Sequence, residues 1–247
     1  MMDDKSGIIA FQRQDDILIL TISNPPRNRL PDPVFTDPDV LYTMLHEEGL
    51  RGAILTGEGK NFCEGAAIDN NIPDDLADRM REGKRILDII EESPIPVIAA
   101  INGACFGGGL EVALACHLRV VGESSLLGFP EAELGIMPGL AGTLRSVEEL
   151  GYSNALPLLL SSDYVSGEKA VEIGLAHYAV PRQEVFKKAS QVLEHLIGDK
   201  APKSINYIMM STLASKRMDR KDALELETRL VVELVEDQYN DKRKTVA

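Results

Sequence analysis

The sequence has no apolar run approaching the roughly 18 residues that a membrane-spanning helix requires. Positive charge is scarce: 26 Lys and Arg face 39 Asp and Glu, a formal net charge of −13. That balance speaks against a nucleic-acid-binding surface, although a small basic pocket for a phosphorylated ligand is still compatible with it. Cysteines are few and odd in number. Cys63, Cys105 and Cys116 are widely spread, which fits a reducing compartment rather than a disulfide framework. Met1-Met2-Asp3-Asp4-Lys5 offers neither the basic start nor the apolar core of a secretory signal. His46, His117, His177 and His195 show no metal-ligand spacing with cysteines or acids. There is no Gly-x-Ser-x-Gly elbow and no Ser-His-Asp set. Nor is there a dinucleotide fingerprint, because Phe62 stands where the third glycine after Gly57-x-Gly59 belongs. These absences leave a soluble cytoplasmic protein with no metal, nucleic-acid or membrane partner.

What is present reads as an α/β chain. The length of 247 residues suffices for one substantial core, and 44% hydrophobic with 26% charged residues is ordinary for a globular protein. Ile8–Phe11 and Ile17–Ile22 read as a hairpin, and Arg51–Thr56 as the next strand. Pro31, Pro33 and Pro38 argue against a continuous helix from Arg27 to Pro38. Apolar residues near helical spacing predict a helix over Asp74–Glu92. Pro96–Ile101 reads as a buried strand, Gly107–Cys116 as a helix, and Leu118–Gly122 and Ser125–Gly128 as strands. Ser166 starts a helix to about Ile173. Gln183–Ile197, Pro202–Leu213 and Arg220 to about Tyr239 are further helices, with Pro202 suited to a first turn. Strands alternating with helices, then a helical end, divide the chain into a core over residues 1–182 and a helical region over 183–247.

Two carboxylates stand out. Glu111 lies in Leu110-Glu111-Val112-Ala113-Leu114-Ala115-Cys116, an apolar helix that must be buried on most faces. A carboxylate there is costly unless paired or hydrogen-bonded. It is either a structural partner of Arg119 or His117, or a functional group. Gly107-Gly108-Gly109 opens the same helix, where bare backbone N–H groups and the helix dipole favour negative charge. Tight packing of helix on strand would equally call for these glycines. Glu131, in Phe129-Pro130-Glu131, leaves a strand for a loop, a position that often carries function in α/β proteins, though an exposed loop glutamate is the ordinary alternative.

Together these pieces resemble the enoyl-CoA hydratase/isomerase (crotonase) superfamily. The segment Gly57-Glu58-Gly59-Lys60-Asn61-Phe62-Cys63-Glu64-Gly65-Ala66-Ala67-Ile68 is similar to its first motif. Pro96-Val97-Ile98-Ala99-Ala100-Ile101-Asn102-Gly103-Ala104-Cys105-Phe106-Gly107-Gly108-Gly109-Leu110-Glu111 is similar to its second. Phe129-Pro130-Glu131, followed by Leu134-Gly135-Ile136 and Pro138-Gly139, is similar to its third. The resemblance implies the crotonase fold of repeated ββα units with a helical C-terminal region that serves oligomerisation. It implies an acyl-CoA thioester substrate, hydrated or dehydrated, with no cofactor beyond the coenzyme A of the substrate itself. On that pattern the N–H groups of Ala66 and Gly108 form an oxyanion hole. Glu111 activates a water and Glu131 exchanges the proton at Cα, with the Gly139 N–H near the same water. Ala66, Ala67, Ile68 and Asp69 contact the substrate's CoA part. A homotrimer or dimer of trimers is also implied. The alternatives are an isomerase or a decarboxylase on the same scaffold, or a scaffold subunit without activity. The chain departs from the pattern at Ala67 and His117, where the family has Asp, and at Ala141, where Gly is common. It also departs in the proline-bearing Arg27–Pro38 segment and in its C-terminal tail.

Overall fold

A computed structural model describes residues 4–67 and 73–246. In chain order the elements begin with β1 (Asp4–Ser6), β2 (Ile9–Gln14), β3 (Ile17–Ile22), α1 (Pro38–Leu45) and β4 (Gly52–Gly57). There follow α2 (Leu76–Glu91), β5 (Val97–Ile101), β6 (Ala104–Phe106), α3 (Gly108–Ala115), β7 (Leu118–Gly122) and β8 (Leu126–Gly128). The remainder is α4 (Gly142–Leu150), α5 (Tyr152–Ser161), β9 (Val165–Ser166), α6 (Gly167–Glu172), β10 (Tyr178–Val180), α7 (Val185–Ile197), α8 (Pro202–Arg217) and α9 (Arg220–Val246). The chain divides into two compact units, Met1–Leu196 and Ile197–Ala247.

In the first unit a seven-stranded sheet runs β1-β2-β3-β4-β5-β7-β10. β1, β2 and β3 pair antiparallel, whereas β3, β4, β5, β7 and β10 pair parallel. A central parallel strand is covered on both faces, so it reads as a continuous apolar run rather than an alternating one. β5, Val-Ile-Ala-Ala-Ile, is buried at all five positions. A smaller sheet, β6-β8-β9, stands apart from the first, with β6 and β8 parallel and β8 and β9 antiparallel. The predicted strands and helices are present within a few residues of their expected bounds, except that the last helix runs on to Val246, past the expected end near Tyr239. The proline-rich stretch is indeed not helical, but its last proline opens a helix that was not foreseen. Pro38 occupies the first turn of α1, and the Asp37 side chain caps it by accepting from the N–H groups of Asp39 and Val40.

α3 is buried at every one of its eight positions, so it is a core helix with no solvent face. It packs near α2 and α4, and through that packing the three helices determine what surrounds Glu111. In the second unit α8 and α9 pack together. Lys203 on α8 reaches Glu233 at 2.6 Å and Asp237 at 2.5 Å on α9, and the Tyr207 hydroxyl donates to Glu233 at 2.6 Å. Among the described residues no helix is long and apolar enough to cross a membrane.

Candidate active site

The loop after β4 is clamped to the small sheet. Phe62 N and Cys63 N both donate to the Ala104 carbonyl at 3.1 Å, and Phe106 N donates back to the Cys63 carbonyl at 2.9 Å. On the loop's other side Leu30 N donates to Gly65 O at 2.9 Å and Ala67 N to Leu30 O at 2.8 Å. Asn28, fully buried, secures this second clamp. Its Nδ2 donates to the carbonyls of Glu58 and Asn61 at 2.9 and 2.8 Å, and its Oδ1 accepts from Asn24 N at 3.2 Å. The result brings Ala66 beside the start of α3. A Cβ built on Gly108 would sit 3.6 Å from Ala66 N and 3.9 Å from Glu111 Oε2. Ala66, far away in sequence, and Glu111, one helical turn on, therefore face one point at Gly108, where the Leu30 Cδ1 methyl lies nearer still at 3.1 Å. An added side chain would narrow that space. Neither Ala66 N nor Gly108 N donates to any described residue.

Glu111 is 2% exposed. Its Oε1 accepts from Leu140 N at 2.6 Å and Gly142 N at 2.7 Å, which fixes the carboxylate and turns Oε2 toward the Gly108 side. Burial pushes its pKa up to about 7, the two backbone N–H groups oppose that rise, and the Glu131 charge adds to it. The position of those N–H groups is set by Arg145, which is 4% exposed. Its guanidinium donates to the Leu140 carbonyl at 3.0 Å and pairs with Asp88 at 2.7 Å and Glu91 at 2.9 Å on α2. Ala141, between the two donors, has φ +71°, a left-handed conformation that an L-residue with a side chain adopts at a cost of about 1–2 kcal/mol. The family's glycine at this place would be free of that cost.

Neither structural partner considered for Glu111 is in fact used. Arg119, fully buried, pairs with Glu149 and donates to the carbonyls of Cys116 and Leu175, each at 2.8 Å. His117 Nδ1 accepts from Val97 N at 2.9 Å, and Nε2 lies 3.2 Å from the Glu91 carbonyl, so the ring ties the start of β5 to the end of α2. Burial lowers its pKa to about 4, so it is a neutral linker at a position where the family carries an acid.

Glu131 follows Phe129, which is 0% exposed and anchors the end of β8. The carboxylate is itself buried, and burial raises its pKa. Gly107, at φ +49°, makes room for it: a Cβ there would meet Glu131 Oε1 at 2.5 Å. Oε2 is buried with no hydrogen-bond partner among the described residues. Arg29, Ala66, Gly107, Glu131 and Tyr164 contribute to the lining of a cleft of about 470 Å³; Glu111 and Gly108 do not line it themselves. Ala67 is exposed on the same loop. Gly139 is half-buried with an N–H that meets no described acceptor, and a Cβ on it would collide with the Met80 side chain. Ile68 and Asp69 lie outside the described residues. Among the described residues no cluster of His, Cys, Asp and Glu could hold a metal ion. Sequence reading did not single out Asn28, Arg29 or Arg145 as parts of this region. A buried, charged Arg145 on a helix facing Glu111 had no local signal, whereas Arg29 stood in plain view among prolines.

Residues 12–245 match the enoyl-CoA hydratase/isomerase family. The chain is 36% identical over 231 residues to the probable enoyl-CoA hydratase of Bacillus subtilis (strain 168), which covers 90% of this chain and 88% of that protein. It is 35% identical over 216 residues to the fatty acid oxidation complex subunit alpha of Idiomarina loihiensis. That match covers 83% of this chain but only 30% of the longer relative. The solved enoyl-CoA hydratase of Bacillus anthracis superposes with a TM-score of 0.84 at 26% identity, covering 93% of this chain and 91% of that one. The architecture is the crotonase fold. The chain belongs to the enoyl-CoA hydratase/isomerase family.

Proposed function

We propose that the protein is a 2-enoyl-CoA hydratase, adding water across the 2,3 double bond of an acyl thioester or removing it in reverse. The observation that carries this reading is the pair of buried carboxylates. Each is raised in pKa by burial and each has an oxygen with no hydrogen-bond partner among the described residues. Glu111 Oε2 faces the Gly108 side, and Glu131 lines a cleft with Ala66, whose N–H, like that of Gly108, meets no described acceptor. In this reading the thioester oxygen accepts from Ala66 N and Gly108 N. Such preorganised donors stabilise the negative charge that develops there, and losing one typically costs about 10²–10³ in rate.

Glu111, ionised, takes a proton from water as the water oxygen bonds to Cβ. The π electrons move onto the thioester oxygen as an enolate. Glu131, protonated, then delivers its proton to Cα as the enolate collapses to the carbonyl. Passage of a proton from Glu111 back to Glu131 through the next water closes the cycle. Each carboxylate's charge disfavours the other's, so when the pair carries one proton the reactive arrangement is the one with that proton on Glu131, leaving Glu111 to accept from water. An isomerase needs one acid that shuttles a proton between Cα and Cγ; the second acid favours hydration. The same reading includes a homotrimer or dimer of trimers. Ile208, Met210, Leu224, Val231, Val232 and Val235, exposed in the second unit, are apolar surface of the kind an assembly covers.

The test is incubation of the purified protein with a four-carbon 2-enoyl-CoA. Loss of the absorbance of the conjugated double bond is the expected result. Conversion of a 3-enoyl-CoA to the 2-enoyl isomer, with no hydration of the product, would overturn it in favour of isomerisation.

A further inference from the structure

Arg29 is out of balance with its surroundings. It lines the cleft beside Gly65 and Ala66, is only partly exposed, and has its Nε buried without a hydrogen-bond partner. Among the described residues it makes no ion pair. Glu64, a carboxylate lining the same cleft, is already engaged: Arg27 approaches it at 3.5 Å and Asn61 Nδ2 donates to it at 2.9 Å. Glu131, the buried carboxylate of the same cleft, has no bond to Arg29 either. A guanidinium stays charged at any accessible pH and presents a planar fork of donors matched to carboxylate and phosphate oxygens. Leaving such a donor partly buried and unmatched is unfavourable, and an incoming anion relieves it. The backbone of Arg29 is held firmly, because Asn24 Nδ2 donates to its carbonyl at 2.7 Å and its neighbours Asn28 and Leu30 are both locked onto the Glu58–Ala67 loop. The chain as a whole carries −13, so the general field repels an anionic substrate and a local cation must do the recognising.

We propose that Arg29 is a substrate-recognition residue of the cleft, receiving an anionic oxygen group of the acyl thioester. This deepens the hydratase reading and rests on it for the identity of the ligand. Two parts of such a substrate carry the required chemistry: a phosphate of coenzyme A, or a carboxylate at the far end of the acyl group. Arg29 acts on binding rather than on bond making, so its loss should raise KM and leave kcat nearly unchanged.

The experiment compares wild type, Arg29→Gln and Arg29→Lys on three substrates. These are a four-carbon 2-enoyl-CoA, the same acyl group on pantetheine without phosphates, and a five-carbon 2-enoyl-CoA ending in a carboxylate. Calorimetry with a saturated acyl-CoA measures binding independently of turnover. For Arg29→Gln the expected result is about a ten- to hundredfold rise in KM with kcat within twofold, and Arg29→Lys should recover part of it. A loss on both CoA substrates that vanishes on the pantetheine thioester identifies a phosphate; a loss confined to the carboxylate-ended substrate identifies the acyl group. Equal losses on all three, or none, would overturn the role of Arg29. If wild type binds acyl-CoA in an Arg29-dependent way yet hydrates nothing, the recognition role stands and the hydratase reading fails. Absence of both binding and turnover in wild type defeats both.

Discussion

Arg119 and Glu111 are both sealed from solvent, 0% and 2% exposed, and both carry charge into an apolar interior. Around Arg119 the donors are answered by Glu149 and by backbone carbonyls of Cys116 and Leu175, and its own backbone N–H meets His177 Nδ1 at 3.1 Å. Around Glu111 only one oxygen is answered. Oε2 faces the Gly108 space, and Glu131 has an oxygen with no partner among the described residues. A buried ion whose hydrogen-bonding capacity is met joins elements together. One left with capacity to spare, next to an opening, can meet a ligand or a proton. The same distinction separates Arg145, whose guanidinium ties Leu140 to α2, from Arg29, whose guanidinium bonds none of the described residues.

Substitutions can break or sharpen this contrast. The largest effect should come from Arg119→Met. It removes one partner of a buried pair, which typically costs about 3–5 kcal/mol, with turnover per folded molecule retained. Chemical denaturation beside an activity assay reads both. Loss of activity without loss of stability would erase the difference between the two regions. Gly108→Ala should do the opposite. The added Cβ projects into the point shared with Ala66 N and Glu111 Oε2, so hydration should fall by about 10²-fold. Alanine suits a helical position better than glycine, but the new Cβ would press on buried Leu30 Cδ1 at 3.1 Å, so the melting temperature should change little. A variant that melts early, or that keeps its activity, would refute this use of the space. A smaller effect is expected from pH. With a folded pKa of about 7 against an ordinary 4.5, Glu111 holds a proton in the folded protein that the unfolded chain has released between those values. Stability should therefore decline as pH rises through that window. Glu111→Gln removes the group, so the melting temperature of the variant should gain on wild type from pH 5 to pH 8. A constant difference across that range would contradict the buried, raised carboxylate.

Most of the large sheet and the helix Leu76–Glu91 were legible: Ile17–Ile22 and Val97–Ile101 announce strands as short, β-branched apolar runs, and the apolar stripe of Leu76–Glu91 announces a helix. α4 and α5 were not read. One opens at Gly142 and the other contains Pro157, so both carry residues that ordinarily interrupt helices. The second sheet was only partly visible, since β6 has three residues and β9 two, too short for alternation to register. Within the candidate site the carboxylates and glycines could be named from side-chain chemistry. The donors that hold Glu111, Leu140 N and Gly142 N, could not be, because every residue but proline has such a group and only the folded path selects these two. The clamp by Asn28 was hidden for a related reason: its three bonds all go to backbone atoms or loops distant in sequence.

The central claim is that Glu111 and Glu131 serve one reaction from one buried space. A double-mutant cycle on the hydration of a four-carbon 2-enoyl-CoA tests it directly, using Glu111→Gln, Glu131→Gln and the two combined. Each single substitution should lower kcat by about 10²-fold or more with the fold intact by circular dichroism. The combination should be little worse than the poorer single variant, because both groups act in the same step on the same water. Near-full hydration by either single variant, or losses that simply multiply in the double, would contradict it.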